Sequence, residues 1–337
     1  MHELNYLFWE CTLRCNLNCK HCGSDCARDS LTKDMLIGDF LKVLDEVASE
    51  YNPNKVMIAV TGGEPLLRKD LEQCGKKFFE RGFPWGIVSN GYMMDEARLS
   101  GLLNAGLRSI TISLDGLNDS HDWLRGVPGS FHRAVRAIGL CCRYTDLVFD
   151  VVTCVNKKNI HELSDIKKLL IGLGVKRWRL FTIFPKGRGK EMPEFLVSDT
   201  EFQAVLDFVA ACRIEGIISA SYGCEGFLGN YEGKVRDNYF FCRAGITFGS
   251  VLVDGNISAC PSLRGDFIQG NIYKDSFIDC WKNRYGVMRN RSWARSSHCS
   301  DCTVFKWCNG NGLHLRDEHD KSLAICHYKR IQSAEST

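Results

Sequence analysis

Long apolar runs are missing from this chain. Nowhere do 18 apolar residues follow one another, so no membrane-spanning helix is expected. A surplus of one charge is missing too: 43 Lys and Arg stand against 40 Asp and Glu, a formal net charge of +3. That balance offers no broad electrostatic footprint for nucleic acid. The opening Met-His-Glu-Leu-Asn runs straight into a strand-like segment, without the basic start, apolar stretch or small-residue cleavage site of a secretory leader. A cytoplasmic protein is expected. Internal repeats, low-complexity tracts and disordered linkers are absent as well, and only residues 333–337 read as frayed.

What the chain has in excess is cysteine. Eighteen in 337 residues are too many for ordinary core filling, and a reducing compartment argues for metal or catalysis over disulfides. They also cluster, five between Cys11 and Cys26 and four between Cys299 and Cys326. The length and a 45% hydrophobic content suffice for one large domain and a smaller one.

Apolar and amphipathic stretches alternate through the first half. Strands are expected at 6–12, 55–61, 85–89, 109–114, 149–154 and 177–184, with helices at 40–51, 71–81, 96–105, 131–144 and 160–173. Strands alternating with helices imply parallel β/α units in an α/β fold. Six units are fewer than the eight that close a barrel, so a partial, open barrel is expected. A helix at 200–215 leads onward. From about Tyr222 glycine becomes frequent and apolar runs shorten; such a segment needs cross-links, which bound metal can supply.

Cys15-Asn-Leu-Asn-Cys19-Lys-His-Cys22 follows directly on the first strand. The loop after a strand lies on the catalytic face of a parallel β/α fold. Three thiolates on one small loop suit a 4Fe–4S cubane and leave one iron open, and soft thiolates select iron–sulfur over hard cations. Zinc sites prefer paired elements and four ligands, unlike this triplet. Cys11, along the strand, and Cys26, in a polar turn, are expected to be non-ligands.

This C-x-x-x-C-x-x-C loop resembles that of the radical S-adenosylmethionine (SAM) superfamily, with His21 where an aromatic residue usually stands beside the adenine. The resemblance continues along the N-terminal half. Thr61-Gly62-Gly63-Glu64-Pro65 is similar to the family's GGEP motif, implying contact with the SAM amino group, with Glu64 able to meet an ammonium. Asn90 lies in a Ser-Asn-Gly that ends the third strand. Ser113-Leu114-Asp115-Gly116 ends the fourth, where relatives bind the SAM ribose. His121-Asp122-Trp123-Leu124-Arg125 resembles an H-D-x-x-R stretch, implying that Arg125 pairs with the SAM carboxylate. Pro185 to Gly189 also fits.

The later cysteines resemble the SPASM extension, which binds auxiliary iron–sulfur clusters. Cys299, Cys302, Cys308 and Cys326 make a complete four-thiolate set, for which a structural zinc ribbon is the alternative reading. Cys242 and Cys260 would belong to a second site, but an expected partner cysteine is replaced by Gly312. Cys224 or Cys280 are candidates to substitute. The implied architecture is a partial (β/α)6 radical SAM barrel at 1–198, a bridge at 199–235 and a SPASM-like domain at 236–332.

The resemblance implies a SAM-binding 4Fe–4S cluster, SAM and one or two auxiliary clusters, and an external low-potential donor such as flavodoxin or ferredoxin. It implies reductive cleavage of SAM to a 5′-deoxyadenosyl radical that takes hydrogen from a substrate. A peptide or protein substrate is expected first, with a small precursor encoded nearby as the candidate; a small cofactor or haem precursor is the alternative. A non-catalytic metal scaffold is a third reading, disfavoured by the intact triplet. With about five residues before the first strand, no N-terminal peptide-recognition domain is expected. The segment around Trp9 to Arg14 looks like a subgroup that accompanies small lipoprotein-like precursors.

Overall fold

The computed structural model describes residues 2–223 and 226–335. The first strand, β1 (Tyr6–Thr12), is followed by α1 (Ile37–Glu50), β2 (Met57–Gly62), α2 (Leu71–Glu80), β3 (Trp85–Ser89), α3 (Glu96–Asn104) and β4 (Leu107–Ser113). Two helices, α4 (Asn118–Arg125) and α5 (Ser130–Cys141), lead to β5 (Val148–Val155), α6 (Leu163–Gly172) and β6 (Arg177–Thr182). Next come α7 (Asp199–Glu215) and β7 (Ser219–Tyr222).

Strands β1 to β7 pair in sequence order and every pairing is parallel. Parallel strands need crossovers long enough to hold a helix, and the amphipathic segments supply them. Helices cover one face: Trp9 stacks on Phe40 of α1 at 4.8 Å and meets Phe78 of α2 edge-on at 5.6 Å. All three are fully buried, each contributing roughly 2–3 kcal/mol.

The cysteine-rich part does not form a separate layer. Its β8 (Phe248–Val251) lies parallel to β1, pairing Tyr6 with Phe248 and Trp9 with Val251. Strands β9 (Asn256–Ser258) and β10 (Gly270–Asn271) extend that edge with antiparallel pairings. Thus the six expected units are present within a ten-stranded sheet that is lengthened at both ends. The added strands have only two to four residues, too short to show a period of two in sequence.

Short helices follow: α8 (Phe277–Asn283), α9 (Gly286–Arg289), α10 (Phe305–Cys308) and α11 (His327–Glu335). The last packs on α7 at the opposite edge, where Arg330 Nε meets Asp199 at 2.8 Å and His327 Nε2 lies 3.1 Å from Tyr222 Oη. It is helical where fraying is expected, as far as Glu335; Ser336, Thr337 and Cys224 lie outside the described residues.

Candidate functional site

The loop from Leu13 to Ala27 leaves β1 and returns beside its own start. Cys15 N–H donates to Ala27 O at 3.0 Å, and Ala27 N–H to Leu13 O at 3.3 Å. Two other segments hold the loop in place. Asn18 and Lys20 donate backbone N–H groups to Arg125 O and Leu124 O at the end of α4, at 3.1 and 2.9 Å. Arg188 donates from Nε to Cys19 O at 2.9 Å and from its backbone to Cys22 O at 3.0 Å. Beside it Gly187 has φ 50°, and a Cβ there would stand 2.4 Å from Cys22 O, so only glycine passes.

Gly62 and Gly63 serve the same loop. Gly63 N–H reaches Thr12 O at 2.8 Å and Glu64 N–H reaches Arg14 O at 2.9 Å. A Cβ on Gly62 would lie 2.1 Å from Thr12 O, and one on Gly63 2.1 Å from Arg14 O. The glycine pair lets the end of β2 run against the cysteine loop.

Together these segments enclose a cavity of about 240 Å³. Cys15, Cys19 and Cys22 line it with His21. Gly62, Gly63, Asn90, Ser113 and Arg125 come from strand ends and α4. Phe181, Ile183 and Phe184, which sequence reasoning did not single out, complete it on the β6 side. Cys26, expected from sequence to be a non-ligand, also reaches it, as does Cys154 of β5.

Glu64, Pro65 and Asp115 are not among the residues that line this cavity. Glu64 is fully buried outside the cavity wall, and its carboxylate accepts from Asn90 N–H at 2.8 Å, Ser89 Oγ at 2.9 Å and Leu66 N–H at 3.0 Å. It ties the ends of β2 and β3 together. Pro65, also buried, opens the 3₁₀ turn Pro65–Leu67. Asp115 is likewise behind the wall: it accepts Cys154 N–H at 2.8 Å and pairs with Arg125 Nη2 at 2.6 Å, an arrangement that aims Arg125. Arg125 Nη1 in turn lies 3.6 Å from Cys19 Sγ.

Burial opposes ionisation of Asp115, but Arg125, His21 and His121 hold its carboxyl below the usual range. Burial lowers His21 to about 4, against the pull of Asp115, so its ring is neutral. Burial pushes the Cys15 thiol up to about 12. Hydrogen bonding from the Cys26 thiol draws the Cys22 thiol down, against the effect of burial.

The later cysteines form two groups. Cys299, Cys302 and Cys326 all act electrostatically on Cys308, whose thiol burial raises to about 12. Arg316 Nη2 stands 3.7 Å from Cys299 Sγ. Cys242 and Cys260 instead line a second cavity of about 260 Å³, which shares Phe181 and Phe184 with the first. They are the only thiols lining it among the described residues. Cys280 is not among the lining residues; it is fully buried in α8. Gly312 is buried in the turn before Leu313. Among the described residues no three Cys, His, Asp or Glu side chains gather on a point as a single ion requires; the loop thiols ring a cavity.

A model of the Radical SAM superfamily matches residues 9–170, and one of the SPASM iron–sulfur cluster-binding domain matches residues 242–303. The chain belongs to the radical SAM superfamily. The enzyme is similar over nearly its whole length to two curated relatives, both called AdoMet-dependent heme synthase. That of Nitratidesulfovibrio vulgaris is 26% identical over 341 residues, covering 95% of this chain and 91% of the relative. That of Methanosarcina barkeri is 28% identical over 323 residues, covering 90% and 89%. Among solved structures, anSMEcpe with bound AdoMet and a Cp18Cys peptide superposes with a TM-score of 0.74 at 19% identity, covering 99% of this chain and 97% of that one. It shares the fold.

A radical SAM enzyme of this build uses a 4Fe–4S cluster, SAM and auxiliary iron–sulfur. The first cavity fits the first two. Three thiols face it, and buried polar atoms around it (Asn16 Nδ2, His21 Nδ1 and Arg125 Nε) have no hydrogen-bond partner among the described residues. Buried polar groups are ordinarily paired, so these stand ready for a polar, zwitterionic ligand. Among the described residues no helix is long and apolar enough to cross a membrane.

Proposed function

We propose that this enzyme holds its SAM-binding cluster on Cys15, Cys19 and Cys22 and takes a hydrogen atom from an apolar substrate that carries carboxylates, of the haem-precursor class. The observation that carries the substrate class is the second cavity. Its walls include Phe8, Phe181, Phe184 and Phe248, it adjoins the first cavity, and no acidic residue lines it while Arg179 and Arg243 do. At about 260 Å³ it takes the carboxylate-bearing edge of a larger molecule. The full-length likeness to two proteins called heme synthase supports the same class.

When bound, the cluster and SAM supply one-electron cleavage of a carbon–sulfur bond, giving a 5′-deoxyadenosyl radical. The chain's own residues position and shield. His21 and Asn90 flank the cofactor, Gly62 and Gly63 offer close backbone approach, and Arg125, aimed by Asp115, presents a fixed positive charge. Phe181 and Phe184 keep water from the boundary between the two cavities. Cys299, Cys302, Cys308 and Cys326 hold an auxiliary cluster; Cys242 and Cys260 lack the thiol that position 312 would supply.

The sequence alone ranks a peptide or protein side chain first. A cavity of this size also suits one such side chain, and the shared fold of a peptide-bound enzyme favours this as the second reading. Anaerobic incubation with SAM, dithionite and either iron coproporphyrin III or a candidate precursor peptide separates the two. The proposal expects the porphyrin to raise 5′-deoxyadenosine formation and to lose mass from its side chains. Stimulation by peptide alone, with the porphyrin unchanged, transfers the assignment to the second reading.

A further inference from the structure

The two arginines of the second cavity are not equivalent. Arg179 is already engaged: its Nε meets Asp150 Oδ2 at 2.5 Å and its Nη2 meets Thr111 Oγ1 at 3.2 Å. Arg243 has no such partner. Among the described residues its guanidinium meets the ring of Phe248, 5.9 Å from the centroid, and no carboxylate.

The backbone around Arg243 is firmly set. Its carbonyl accepts from the N–H groups of Ile246, Thr247 and Phe248, at 3.0, 3.1 and 3.1 Å, in the turn that opens β8. The turn thus fixes where the side chain leaves the backbone. Arg243 is exposed at the mouth of the cavity, beside apolar walls formed by Phe8, Phe181, Phe248 and Leu263. Its guanidinium is engaged by no carboxylate among the described residues, and its planar fork matches one.

We infer that Arg243 is a specificity-determining residue that anchors a carboxylate of the substrate while the apolar walls receive the rest. The inference rests on reading the second cavity as the substrate chamber, and it names the group recognised there. Arg179, neutralised by Asp150, shapes the wall without selecting charge.

The test uses 1-pyrenebutyrate and its neutral counterpart 1-pyrenebutanol as fluorescent probes on the anaerobically prepared holoenzyme. The wild-type chain is expected to bind the acid about tenfold more tightly than the alcohol. Arg243→Gln is expected to bring the two to equal affinity, Arg243→Lys to restore part of the preference, and Arg179→Gln to retain it. Cluster absorbance and thermal midpoints report whether each variant has folded. If wild type shows no preference for the acid, or if Arg243→Gln keeps it, the assignment is overturned. If Arg243→Gln does not fold, the wild-type comparison and the Lys variant decide: a Lys variant that shows no preference while Arg179→Gln keeps it supports the anchor, and loss in both overturns it. An acid preference lost in Arg243→Gln, with iron coproporphyrin III inert as substrate, sustains the anchor while removing the haem-precursor reading.

Discussion

Asp115 and Glu64 act at one remove from the cavity. Each buried carboxylate is consumed by neighbours, Asp115 by Arg125 and Cys154 N–H, Glu64 by Ser89, Asn90 and Leu66. An acid so placed sets the position of groups that do face the ligand. Their residue types are visible in the sequence, but whether a side chain faces a cavity or a neighbouring strand end is a tertiary fact. The thiols divide the same way. Replacing Cys15 by Ala is expected to abolish 5′-deoxyadenosine formation and to remove one cluster's iron while the Cys299 group remains loaded. Cys299→Ala is expected to do the converse for iron. Parallel iron and sulfide determinations on the two variants check this, and equal losses at both sites would refute separate clusters.

At the scale of elements, α4 is the clearest case of a helix hidden behind a motif. Its eight residues are mostly polar, giving no long apolar stripe to read. Its meaning emerges from its contacts. His121 Nδ1 accepts Asp115 N–H at 3.0 Å, and Asp122 accepts from Gly129 N–H at 2.5 Å, Ser130 Oγ at 2.8 Å and Phe131 N–H at 2.7 Å. Asp122 thereby caps the start of α5, whose own cap position is Gly129 and has no side chain to do so. Asp122→Ala is expected to cost roughly 2 kcal/mol of stability, read from the shift in denaturant midpoint, with Asp122→Asn recovering part of it. The six barrel strands and five of their helices were legible because their apolar periodicity spans whole elements. The cysteine loop was legible because its ligands are adjacent in sequence. The second cavity was not: Phe8, Arg179, Arg243 and Leu313 come from four distant segments, and no local pattern joins them.

For the molecule as a whole, the decisive contacts cross between the barrel and the cysteine-rich part. Glu10, fully buried on β1, pairs with Arg264 at 2.5 Å and accepts Val253 N–H at 3.1 Å. Burial pushes the Glu10 carboxyl up and Arg264 pulls it back. Removing the guanidinium strands that carboxylate, so Arg264→Ala is expected to cost roughly 2–3 kcal/mol, less than a wholly buried pair because Arg264 is 29% exposed. Chemical denaturation is expected to show one transition at a lower midpoint. A second, separate transition would mean that the two parts unfold independently.

The place of β1 in the sheet also has a consequence for biosynthesis. It leaves the ribosome well before one of its flanking partners, β8, and Val253, which bonds Glu10, follows that residue by 243 positions. Until β8 has been made, therefore, the strand next to the cysteine loop presents bare amides along one side, a template for wrong pairing. That margin closes only when β8 docks along β1, so a late step of sheet assembly is also the one that seals the strand leading into the cysteine loop.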